Sequence, residues 1–273
     1  MRDPASAGCM AALCRPRLPL AILERMAYDR EYVKKSILQP NRDVPPVMPL
    51  RADAVPSLTE RAYATLRGRI LSCRLRPGAR LKIADIAGEL GVSLAVVREA
   101  LTRLGAEGLV SMESQRGFRV PPVSAQDLLH LTEARIEIEC LCLVRAIAEA
   151  GLDWESDLVA AHHRLARQPE RAEDDPGRLD DAWAAAHARF HDALIAGCPN
   201  LWLLRVRGTL FDQSERYRRL SVALQGEGRD IAAEHAELLD AAIARDADRA
   251  AGRMREHLST TARVLLESGV CNA

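Results

Sequence analysis

Four of the seven histidines in this 273-residue chain have the spacing and neighbours of metal ligands. His187 and His191 lie four residues apart, so on a helix both project from one face, which Leu194 and Ile195 extend toward a core. His235 heads the apolar stripe Leu238, Leu239 and Ala242, and His257 sits with Met254, Leu258, Thr261 and Leu265. All four therefore point inward from three helices. A lone histidine on an apolar face is ordinarily a hydrogen-bonded core residue. Four that converge point to coordination, because neutral imidazole is the common ligand of zinc, nickel, copper and iron. The implied cofactor is a divalent metal ion, zinc or nickel first. His130, His162 and His163 fall near polar helix surfaces and read as solvated. Arg135 and Glu139, also four apart, form either an exposed ion pair worth well under about 1 kcal/mol or a pocket-facing guanidinium suited to a carboxylate effector.

A second group of residues suits nucleic acid. Arg98, Arg103 and Thr102 lie on the outer face of a helix that Ser93 can cap, and arginine can grip a guanine edge bidentately in the major groove. Arg116 and Arg119 lie in and beside a Gly117-centred turn. The candidate DNA-binding set is thus Ser93, Arg98, Thr102, Arg103, Arg116 and Arg119, with Arg98 foremost.

The elements that position these residues follow from periodicity. Ser57 and Glu60 match a capping box, and Leu58, Ala62, Tyr63, Leu66 and Ile70 repeat along one helical face. Pro77-Gly78 ends that segment. Ile83, Ile86, Ala87 and Leu90 give a short second helix closed by Gly91. Val97, Ala100, Leu101 and Leu104 turn inward from the third, leaving Ala95, Arg98, Glu99, Thr102 and Arg103 outside. Residues 109–112 and 118–121 read as strands of a hairpin. The order describes a winged helix-turn-helix. From residue 125 to 268 no strand-like alternation is found. Six helices are expected there, at about 125–150 (with Leu128, Leu131, Ile138 and Leu141), 153–168, 178–196, 200–223, 228–244 and 246–268, with Asn200 and Asp246 as caps.

Charge divides the same way. Residues 51–123 hold 12 basic and 7 acidic residues, net +5, whereas 124–273 hold 18 and 26, net −8. Phosphate neutralisation favours the first part for DNA. Residues 1–55 mix Arg, Pro and Ala and read as a disordered leader and linker, and translation starting at Met26 or Met48 is an alternative. No apolar run reaches a membrane span. The seven cysteines form no C-x-x-C pair and read as reduced thiols of a cytoplasmic protein.

The strings Leu75-Arg76-Pro77-Gly78-Ala79-Arg80-Leu81, Leu90-Gly91-Val92-Ser93, Val97-Arg98-Glu99-Ala100-Leu101, Glu107-Gly108-Leu109-Val110 and Arg116-Gly117-Phe118-Arg119-Val120 resemble the N-terminal domain of GntR-family transcriptional regulators. The resemblance implies that Arg98 and Arg103 work at or near DNA, assisted by the wing. Two positions depart from it: Leu94 and Ala84 stand where the family commonly has arginine, so the operator is expected to be atypical. Leu94 either packs on a neighbouring helix or meets a thymine methyl group. Phe190-His191, Asn200, Glu234-His235, Asp246-Ala247-Asp248 and His257-Leu258 resemble the FCD ligand-binding domain of the FadR branch, and six helices its VanR-like subgroup. In metal-binding members an aspartate joins three histidines. The resemblance places His191, His235 and His257 at those histidines and His187 at the aspartate, leaving the site one charge more positive.

The expected architecture is mainly α: residues 1–55 as leader, 56–122 as a winged helix-turn-helix with a small β wing, and 124–268 as an all-α six-helix bundle for effector, metal and dimerisation. The expected function is a ligand-responsive DNA-binding regulator, a repressor, in which a homodimer on double-stranded operator DNA responds to a small organic acid at the metal. Two competing readings are a hydrolase-like metal enzyme fused to a DNA-binding domain and a constitutive regulator with an unoccupied bundle.

Overall fold

The computed structural model describes residues 56–113, 117–222, 229–268 and 271. The expected leader, Arg116, Cys9 and Cys14 lie outside these residues. The first helix, α1 (Leu58–Leu71), begins with the expected capping box: Ser57 Oγ accepts from the Glu60 amide, and Glu60 Oε2 accepts from the Ser57 amide. It buries Ala62, Leu66 and Ile70. Gly78 then takes a left-handed φ of 78°, open to glycine without the Cβ penalty. Strand β1 (Arg80–Leu81) leads into α2 (Ile83–Leu90), which Gly91 closes at φ 63°. Helix α3 (Leu94–Ala106) is capped by Ser93, whose hydroxyl accepts from the Val96 amide, and its Val97, Ala100, Leu101 and Leu104 are fully buried. β2 (Ser111–Glu113) and β3 (Gly117–Arg119) form the wing. The sheet order is β1-β3-β2, all antiparallel, so the wing has a strand, β1, that was not expected. Two residues are too few to show alternation. Leu81 nonetheless pairs with Phe118 and both are buried.

Six helices follow among the described residues: α4 (Ala125–Glu149), α5 (Leu152–Ala166), α6 (Asp181–Ile195), α7 (Leu201–Val222), α8 (Ile231–Ile243) and α9 (Ala247–Ser268). Asn200 and Asp246 cap α7 and α9 as expected. The all-α expectation for this part needs one correction. β4 (Arg171–Ala172) and β5 (Asp175–Leu179) form a small antiparallel hairpin before α6. Its anchors are Ala172 and Leu179, both buried, and the charged residues between them hid the pattern. Together α4, α5, α6, α8 and α9 enclose a core that includes Leu143, Ala146, Leu158, Phe190, Leu194, Leu238 and Met254.

Helix α4 keeps most of the expected stripe, with Leu128 buried and Leu131 and Ile138 half-buried against the core, but departs from it at one end. Leu141 is 39% exposed, and the buried face runs through Leu128, Arg135, Glu139, Cys142, Leu143 and Ala146. A charged pair occupies the inner face, so counting apolar residues alone misplaces it.

Candidate metal centre and DNA-reading surface

His187 and His191 come from α6, His235 from α8 and His257 from α9, and all four are buried. One potential ligand atom from each lies within 4.8 Å of the others. Ring centroids of His187 and His191 are 4.4 Å apart, and those of His235 and His257 are 4.8 Å apart. The structure therefore brings together all four residues of the expected set. Burial, then the Arg218 guanidinium and the neighbouring imidazoles, holds His187 well below the usual histidine range. His191 and His235 are held well below it by burial and then His257. Burial also lowers His257, although Glu234 pulls the other way. Each ring is thus held toward its neutral, ligating form.

The nitrogens fit a cation. His187 Nδ1, both ring nitrogens of His191 and His235 Nε2 are buried with no hydrogen-bond partner among the described residues. Such atoms are costly unless something unseen satisfies them. His257 is oriented from behind: its Nδ1 lies 2.7 Å from Glu234 Oε2. Glu234 is held down to about 2; burial opposes this, but hydrogen bonds from Arg229 and His257 outweigh it. The carboxylate must accept, so Nδ1 carries the proton and Nε2 is left for a metal, an arrangement common behind ligating histidines. Arg229 grips Glu234 with two 2.8 Å bonds and also donates to the His257 carbonyl.

Arg135 is buried, not a surface residue. Its Nε donates to Glu139 Oε1 at 3.1 Å and its Nη1 to Ser214 Oγ at 2.7 Å. Arg207, from α7, pairs with Glu139 Oε2 at 3.1 Å and with Asp192. Arg135 and Arg218 line a cavity of about 30 Å³ together with His187, His257, Ser214 and Tyr217. Arg218 holds Glu215 through Nε and Nη2, at 2.7 and 2.6 Å, while its buried Nη1 has no partner among the described residues. Arg207, Ser214, Tyr217, Arg218, Arg229 and Glu234 were not named as site residues from sequence; a Glu234-His235 pair beside a ligand was the one available signal. His162 departs from the solvated reading: it is half-buried, its ring 5.5 Å from Phe190, and burial lowers its pKa.

Helix α7 touches both parts of the chain. Gln213 Nε2 donates to the Glu107 carbonyl at 2.6 Å, Arg216 Nη1 to the Pro121 carbonyl at 3.1 Å, and Asp212 pairs with Arg67. Tyr217 donates to Asp127 at 2.6 Å. One side of the helix thus lines the cavity and another holds the winged domain.

On the winged domain Arg98 is exposed and has no ion-pair partner among the described residues. The other expected DNA residues are more occupied. Thr102 Oγ1 donates to the Arg98 carbonyl at 2.9 Å, Arg103 stacks 4.3 Å above the Tyr63 ring, and Ser93 caps its own helix. Arg119 is half-buried within the wing, its Nη1 donating to the Gly78 carbonyl and its Nε 3.0 Å from Glu113. Leu94 is 55% exposed at the first residue of α3, against the alternative in which it packs on a neighbouring helix, and Ala84 is exposed too.

A three-helix winged domain with an outward-facing third helix, joined to a helical bundle with a buried polar centre, defines the architecture of a helix-turn-helix regulator. Residues 58–120 match the gntR family of bacterial regulatory proteins and residues 130–260 match the FCD domain. The uncharacterised HTH-type transcriptional regulator BphR of Paraburkholderia xenovorans is 38% identical over 216 residues, covering 79% of this chain and 88% of that protein. The HTH-type transcriptional repressor GlaR of Escherichia coli K12 is 35% identical over 205 residues, covering 72% and 91%. Among solved structures, a GntR regulator from Rhodococcus sp. RHA1 matches with TM-score 0.60 and 25% identity over 77% of this chain and 98% of its own. E. coli McbR/YncC shares the fold at TM-score 0.61 and 21% identity, covering 78% and 99%. The chain belongs to the GntR family of transcriptional regulators, with an FCD domain. No helix among the described residues is long and apolar enough to cross a membrane.

Proposed function

We propose that the protein is a repressor whose grip on operator DNA is released by a small organic acid bound beside a metal held by His187, His191, His235 and His257. The observation that carries this is the four-imidazole centre with unpartnered buried nitrogens, adjoining the guanidiniums of Arg135 and Arg218. An all-nitrogen set favours zinc or nickel over magnesium or calcium. A divalent ion there would supply a Lewis-acid anchor for a carboxylate. Arg135 then orients the anion, Glu139 and Ser214 fix Arg135, and Arg218 offers its free Nη1.

A cavity of about 30 Å³ has room for about one water. An acid of several carbons must therefore push its walls apart. One wall is α7, through Ser214, Tyr217 and Arg218, and the same helix holds the winged domain through Gln213, Arg216 and Asp212. Widening the cavity thus disturbs those contacts. Ligand and operator then oppose each other reciprocally, as linkage requires. Repression is supported by the name of GlaR, a transcriptional repressor, and a homodimer would place two α3 helices on a pseudo-palindromic site.

The test combines elemental analysis with operator binding. The expectation is about one zinc or nickel per chain, lost in His191→Ala, and operator affinity weakened by one or more small carboxylates in wild type but not in Arg135→Ala. Metal-free protein after growth in zinc and nickel, or carboxylates that bind without changing operator affinity, would overturn the proposal.

A further inference from the structure

We propose that Leu94 is a specificity-determining residue that reads the C5-methyl group of a thymine lying within two base pairs of the guanine read by Arg98. The inference rests on α3 being the reading helix. In helix-turn-helix proteins the N-terminal residues of the second helix meet base edges in the major groove. On α3 those residues are unusual in being apolar. Leu94 is 55% exposed and Ala95 is exposed beside it. The helix has already buried its own apolar face through Val97, Ala100, Leu101 and Leu104, so Leu94 serves no part of that core.

The polar side chains that could compete for bases are mostly engaged inside the protein. Glu99 accepts from Thr59 Oγ1 at 3.2 Å, Thr102 donates to its own helix backbone, and Arg103 lies over Tyr63. What α3 presents outward is one uncommitted cation, Arg98, and one large apolar side chain four residues before it, on the same face. Four residues of helix rise about 6 Å, against about 3.4 Å per base step, which sets the reach of one to two base pairs. An isobutyl group offers a base edge no hydrogen bond. The apolar partner the major groove supplies is the thymine methyl group.

The experiment selects bound duplexes from a random pool with full-length wild-type protein, then replaces each thymine of the selected site in turn with deoxyuridine, which lacks only that methyl. Wild type is expected to lose about fourfold in affinity at one symmetric position per half-site, the value of one buried methyl-sized group. Leu94→Ala is expected to be indifferent at that position, and Leu94→Met to keep part of the sensitivity. Indifference of wild type to uracil at every position, or an unchanged penalty in Leu94→Ala, would overturn the assignment while leaving DNA binding intact. Failure to enrich any duplex would overturn both it and the reading of α3.

Discussion

Metal-stripped protein should lose stability steeply between pH 7.5 and 5.5. His187, His191 and His235 are buried, and burial together with surrounding positive charge holds all three well below the usual histidine value. In the unfolded chain each returns to about 6.5. Below that pH the unfolded state takes up protons that the folded state refuses, so the stability is present above about 6.5 and is lost as pH falls. Each proton changes the slope by about 1.4 kcal/mol per pH unit, so three give about 4. The loss by pH 5.5 is then about 4 kcal/mol, a large part of the roughly 5 to 15 kcal/mol that holds a domain together. Glu234, held down to about 2, also loses its contribution as pH falls, but below its ordinary value and outside this window. Glu170, raised by burial, acts in the opposite sense, whereas His257 and His162, both lowered by burial, act in the same sense as the three. Urea unfolding of chelator-treated protein, followed by the fluorescence of Trp183 stacked on His187, measures the slope. His187→Asn should remove one proton's worth of it, about 1.4 kcal/mol per pH unit, while keeping both carboxylates. A loss below about 1 kcal/mol would mean fewer than one proton is taken up, and the neutral buried cluster would be refuted.

Three further outcomes are expected. His187→Asp should keep the metal, seen by elemental analysis, while the added negative charge weakens the acid effector in calorimetry; stronger effector binding would contradict the charge argument. Glu139→Ala leaves the Arg135 and Arg207 guanidiniums buried without their shared carboxylate and should cost about 3 to 5 kcal/mol in denaturant unfolding; a change under about 1 kcal/mol would show the pair to be dispensable. Gly197 joins α6 to α7 where an added Cβ would run into Ala150 Cβ and stand 3.1 Å from the Ala146 carbonyl, so Gly197→Ala should lower the melting temperature by an overpacking cost of about 1 to 3 kcal/mol, with Gly252→Ala, where nothing lies within 4 Å, as the harmless comparison.

Much of the winged domain was legible from residue order. Ser57 with Glu60, Gly78, Gly91, Ser93 and the stripe from Val97 to Leu104 each act through the nearest few residues, and each stands where its spacing put it. The four inward histidines were legible for the same reason: a helix converts i, i+4 spacing into one face before any partner is known. Helix α4 shows where that logic stops. Its inner face carries Arg135 and Glu139, which are tolerated there because Ser214 and Arg207 arrive from α7, about 70 residues further along the chain. Hydropathy could not foresee those partners; of its stripe Leu128 is buried and Leu131 and Ile138 are half-buried, but Leu141 faces outward.

The residues that complete the site share this origin. Arg207 and Arg218 look like ordinary surface cations in sequence until packing buries them, and nothing in the sequence marks Arg229 as the partner that grips Glu234. The reverse holds on α3, where Arg98, Thr102 and Arg103 are the candidates on the outer face: the folded chain ties Thr102 and Arg103, like Glu99 beside them, to their neighbours and leaves Arg98 and Leu94 uncommitted. Sequence by itself determined where the helices lie, several of their caps, and that four histidines turn inward, because local geometry and solvent aversion act along a single element. Only the tertiary structure decided which charges are buried and which stay free, because the cost of burying a charge depends on partners that other elements bring.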